Sequence, residues 1–118
     1  MNIFRYLIIS TLIFSCKTSD MLSVVQSNNV DIIVITHINT KEKHILTDKD
    51  QIKKVLSDYL ETAKRKPVKF IASYQVILVR DQKEEKYLIT NRYVNYGGNT
   101  YEMKNDFSEF VTRLKASH

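Results

Sequence analysis

The chain has 118 residues, 26% of them charged, and a formal net charge of +5. Its single cysteine excludes an internal disulfide framework. A chain of this length builds one domain with a modest core held by packing alone, and the mild basic excess, spread along the sequence, describes a solvated surface.

The first element is the N-terminal leader. Arg5 precedes Tyr6 to Phe14, an uncharged and mostly apolar run of nine, and the chain turns polar again at Lys17-Thr18-Ser19-Asp20. A charged start, a short apolar core and a small residue at the boundary form a secretory signal pattern. The run is short for a membrane crossing, which takes roughly 20 apolar residues. The only cysteine stands where the run ends, in Ile13-Phe14-Ser15-Cys16.

That tetrad resembles the lipobox of bacterial lipoproteins: an aliphatic residue, a tolerant position, a small residue and cysteine. The resemblance covers residues 1–16. It implies that 1–15 is a signal peptide and that Cys16 is fatty-acylated as the first mature residue. The partner implied is then the membrane itself, since several acyl chains on one cysteine anchor stably where one does not. The two other readings of the run are a cleaved signal that leaves an ordinary thiol and an uncleaved anchor. Lysine rather than aspartate after the cysteine implies, by the same resemblance, passage to the outer membrane in a Gram-negative cell. With Arg5 removed, the +5 of the whole chain becomes +4.

Residues 16–29, rich in Ser, Thr, Asn and Gln, read as a flexible tether, with a start of structure around Met21-Leu22 and Val24-Val25. Residues 30–118 read as a small α+β domain. Val30 to Ile38 is β-branched and apolar on both alternation sets, as in a central strand. Asn39 to Glu42 is a turn, and Lys43 to Leu46 a short returning strand. Thr47 or Asp48 then caps a helix whose stripe is Ile52, Val55, Leu56, Tyr59, Leu60 and Ala63. Pro67 sets its end near Arg65.

Phe70–Arg80 and Lys86–Val94 read as a hairpin joined by the charged segment Asp81–Glu85. With Val79 placed opposite Leu88, one face carries Tyr74, Val76, Leu78, Tyr87, Ile89 and Tyr93. The other carries Ser73, Gln75, Ile77, Val79, Leu88, Thr90, Arg92 and Val94. The first is the better core face. Gly97-Gly98 is a turn, because adjacent glycines tolerate positive φ, and Thr100–Met103 a short strand. Asn105 or Asp106 caps a last helix with Phe107, Phe110, Val111 and Leu114 on one stripe. The expected order is β-β-α-β-β-β-α: a single antiparallel sheet of about five strands with both helices on one face.

No motif beyond Cys16 specifies a reaction. His37 and His44 flank one turn, but zinc sites take three or four protein ligands. Asp48-Lys49-Asp50 lacks the glycine and distal glutamate of a calcium loop, and helix capping explains both acids. Glu84 and Glu85 read as solvated loop carboxylates. Gly97-Gly98 has no helix N-terminus behind it to hold a phosphate. The basic cluster Lys64-Arg65-Lys66 with Lys69 suits a helix C-terminus or anionic headgroups. Tyr93, Tyr96 and Tyr101, beside Arg92, surround the Gly-Gly turn with the residue types of protein-binding hot spots.

These residues lead to a lipid-anchored envelope protein without metal, cofactor or nucleic-acid partner. Its domain is expected to bind a protein at the cell envelope rather than to catalyse. The alternatives are an inhibitor or immunity protein against an envelope or secreted enzyme, and a small enzyme whose site carries no recognisable motif. Oligomeric state is not written in the sequence.

Overall fold

A computed structural model describes residues 20–24 and 29–116. The expected signal peptide, Cys16 and the rest of residues 1–19, together with 25–28 and 117–118, lie outside the described residues. The elements are β1 (Ile32–His37), β2 (Lys43–Leu46), α1 (Lys49–Asp58), β3 (Lys64–Arg65), β4 (Tyr74–Arg80), β5 (Lys83–Thr90), β6 (Tyr93–Tyr96), β7 (Asn99–Glu102) and α2 (Phe107–Ala116). They form an α+β fold with one antiparallel sheet, ordered β2-β1-β4-β5-β6-β7-β3.

The sheet therefore has seven strands among the described residues, not about five. Two of the expected segments each divided. The long return Lys86–Val94 breaks at Asn91-Arg92, where Asn91 takes φ 47°, and becomes β5 and β6. The end of the expected helix became the edge strand β3, which pairs Lys64 with Glu102 and Arg65 with Tyr101 on β7.

Two-residue turns control the faces. Asp81-Gln82, Asn91-Arg92 and Gly97-Gly98 join successive strands, and all but Arg92 have positive φ, as tight hairpins of primed type require. Each such turn exchanges odd and even positions across the pair. Val79 lies opposite Glu84, four residues from the expected Leu88. An even slip keeps every side chain on its face, so Tyr74, Val76, Leu78, Tyr87 and Ile89 are buried as expected. The unexpected turn at Asn91 reverses the rule beyond it: Ile89 pairs with Val94, which is buried, and Thr90 pairs with Tyr93 on the other face.

Both helices contribute to one core against this face. Ile52, Val55 and Leu56 of α1 join Phe107, Phe110, Val111 and Leu114 of α2 in a cluster with Ile33, Ile35, Val76, Tyr87 and Ile89. Each aliphatic side chain fully buried there is worth about 1.5–3 kcal/mol. Phe107 sits edge-on to Tyr59 at 5.4 Å and to Tyr74 at 5.8 Å, which locks α2 to the end of α1 and to β4. Asp48 caps α1 by accepting from the Asp50 amide at 2.8 Å. Asp106 does the same for α2 through the Ser108 amide at 2.9 Å.

Helix α1 stops at Asp58, seven residues before its expected end. The tight turn Leu60–Thr62 follows, with Thr62 Oγ1 donating to the Tyr59 carbonyl at 2.7 Å. Distant residues hold this stop. Asn105 Nδ2 donates to the Asp58 carbonyl at 2.9 Å, and Thr62 Oγ1 accepts from the Lys104 amide at 3.0 Å. Leu60 and Ala63 are still buried, as their place on the stripe implied.

The chain crosses the sheet twice. Helix α1 carries it from the β2 edge to the β3 edge over the core face. Residues 66–73, expected to begin a strand at Phe70, instead carry it back from β3 to β4 over the opposite face. Pro67 lies in this crossover.

Candidate functional site

The crossover and the open sheet face together enclose a groove of about 680 Å³, within the size range of ligand and peptide sites. Its floor is built by alternation: Leu88 of β5, Asn95 of β6 and Thr100 of β7 point away from the helices because their neighbours Ile89, Val94 and Tyr101 point toward them. Register places Leu88 opposite Asn95 and Asn95 opposite Thr100, so the three form one row across the strands. Asn95 Nδ2 donates to Thr100 Oγ1 at 3.4 Å.

The roof is Pro67, Val68, Phe70 and Ala72. Phe70 stacks on Tyr93 at 6.1 Å and pins the crossover to the sheet. Where the crossover enters β4, the Ser73 and Thr90 hydroxyls are 3.0 Å apart. At the other end Arg65 Nη2 donates to Asn99 Oδ1 at 3.0 Å. Ile71, between the lining residues Phe70 and Ala72, is 91% exposed. The lining thus combines an aliphatic and aromatic body, amides, a hydroxyl and two cations, Arg65 and Lys69. Such a surface holds a partly apolar ligand by area and orients it by amide and guanidinium hydrogen bonds.

The expected hot-spot residues are distributed over the molecule. Tyr93 reaches the open face beside the groove. Tyr96 lies on the helix side, stacked on Tyr87 at 4.5 Å, and Tyr101 is buried at 8% exposure on that same side. Arg92 is exposed at the far end of β6 from the Gly-Gly turn, with Nη2 donating to the Lys104 carbonyl at 3.0 Å. Cys16 lies outside the described residues. The sequence reading missed Leu88, Asn95 and Thr100 as a set, because their convergence depends on two hairpin registers. The one available signal was their even alternation against buried neighbours.

Other chemistry-bearing groups lie outside the groove. Glu85, expected in a loop, lies in β5, where it accepts from Tyr87 OH at 3.1 Å and pairs with Arg80 at 3.4 Å. Burial, then the Glu85 charge and the hydrogen bond to it, push the Tyr87 phenol far above its ordinary range. His44 lies beside Ile35, with Nε2 buried and unpartnered. His37 packs edge-on to Tyr74 at 5.2 Å. No group of three or more His, Cys, Asp or Glu side chains placed to hold a metal ion occurs among the described residues, and no described helix is long and apolar enough to cross a membrane.

Compared with protein-family models, with curated proteins and with solved structures, the chain matches none of them.

Proposed function

We propose that this is a bacterial lipoprotein, anchored through acylated Cys16, whose domain binds a protein at the cell envelope without catalysing a reaction. The anchor rests on Ile13-Phe14-Ser15-Cys16. The binding role is carried by one observation, the groove under the crossover, whose lining is apolar, aromatic, amide and cationic. These are the residue types that anchor protein partners. Acid–base or nucleophilic catalysis instead needs a positioned base or nucleophile at the reacting centre.

Two measurements test it. The mass of the mature protein should show acylated N-terminal Cys16; a free thiol or a retained Met1 refutes the anchor. A photocrosslinking side chain at Ile71, beside the groove, should capture one dominant protein in the native envelope. The same group at exposed Lys53, on the helix side, should capture none. Equal capture at both positions, or none at either, refutes the groove as the binding site.

A further inference from the structure

The stretch between Cys16 and the domain is shorter than its composition indicates. Residues 20–24 belong to the folded body. The Leu22 amide donates to the Ala63 carbonyl at 3.1 Å, Met21 bridges Lys64, and the Leu22 side chain is 6% exposed within the core. Cys16 is five residues before Met21. Five residues span at most about 18 Å, so a lipid on Cys16 keeps the β3 edge near the bilayer. The opposite edge, β2, lies six strand spacings away, or about 29 Å.

The near edge is also the basic one. A concavity of about 210 Å³ there is lined by Lys64, Arg65, Lys66, Arg92 and Lys104, with Glu102 the one acid of the lining among the described residues. Glu102 is taken by Lys66 at 3.6 Å. Of the other acids close by in sequence, Asp20 and Glu61 are exposed and Asp106 is half-buried, accepting from the Ser108 amide and hydroxyl. The cations come from three separate elements: β3 with the residue after it, the β5–β6 turn, and the segment after β7. The fold, and not one local run, assembles them.

We propose that this edge is a docking surface for anionic lipid headgroups, so that the domain lies with β3 against the bilayer and β2 toward solvent. The inference rests on the lipid anchor proposed above. Both the short reach and the charge act on the same edge. The attraction falls off over about 8 Å at physiological salt; a leash of at most about 18 Å keeps this edge close enough to enter that range often, and the charge then holds it there.

The test uses the full acylated protein, its acylation verified by mass, in vesicles of phosphatidylcholine with phosphatidylglycerol. Single cysteines replacing Lys69, near the basic edge, and Ile45, on the far edge, carry a nitroxide. Collision with a water-soluble relaxation agent should be about threefold lower at the Lys69 position than at the Ile45 position. High salt, or the combined variant Lys64→Glu, Arg92→Glu and Lys104→Glu, should shrink the difference to the smaller one that the short leash alone imposes. The salt arm needs no substitution and so is independent of folding. Equal accessibility at the two positions in acylated protein, or a difference that salt and charge reversal leave intact, overturns the orientation and spares the anchor. Protein that carries no acyl group overturns the anchor and the orientation with it.

Discussion

At the scale of single residues, the buried tyrosines carry the most chemistry. Tyr87 is completely enclosed, and its hydroxyl donates to the Glu85 carboxylate. Burial, followed by that carboxylate, raises its pKa far above the ordinary phenol value of 10.0. Burial likewise raises Tyr59 and Tyr74. A group whose folded pKa exceeds its unfolded one contributes stability that is whole below the unfolded value and is lost as pH rises toward the folded one. The urea midpoint should therefore hold steady to about pH 9 and fall steeply above about pH 10. Tyr87→Phe should cost about 1 kcal/mol at neutral pH and flatten the alkaline fall. The part of the tyrosinate absorbance that Tyr87→Phe removes should appear together with the loss of circular dichroism; that part appearing in a native fold would contradict the assignment.

At the scale of elements, local signals decided where structure begins and distant contacts decided where it ends. Asp48 and Asp106 start α1 and α2 through their own side chains, and both were readable. The end of α1 was not, because Asn105 and Lys104, over forty residues away, supply the partners that stop the helix at Asp58. An orphan carbonyl at a helix terminus needs such a donor. Asn105→Ala should lower stability by about 1 kcal/mol in chemical denaturation. Asn105→Asp, which keeps size and loses the donor, should do no better. Hairpin turns follow the same division. Gly97-Gly98 announced itself by composition, whereas Asp81-Gln82 and Asn91-Arg92 adopt similar geometry with ordinary residues, three of the four at positive φ. Their strain is offset by the strand pairing they allow, so local sequence alone did not place them.

At the scale of the whole molecule, the sheet is bounded by two crossovers, α1 over the core face and residues 66–73 over the open face. The second creates the groove, and the first brings Ala63 to the edge where Leu22 docks. Leu22→Ala should destabilise the domain by about 2 kcal/mol, at the low end for a buried leucine because its site borders the surface. A residue in a free tether would show no change. The same substitution should loosen the proposed orientation at the bilayer by lengthening the effective leash.

The sequence by itself determined what short-range physics encodes: the α+β class, the caps and apolar stripes of two helices, and the buried faces of β4 and β5. Alternation and helical periodicity are local, so each could be read within a window. Only the tertiary structure decided the seven-strand order, the early end of α1, the face of Tyr93, the inclusion of Leu22 in the core and the convergence of Leu88, Asn95 and Thr100 beneath Phe70. Each of these depends on which distant backbone group or ring satisfies a given residue. The same long-range pairing assembled the basic edge, joining Lys64, Arg92 and Lys104 from three parts of the chain beside the point where the proposed anchor begins.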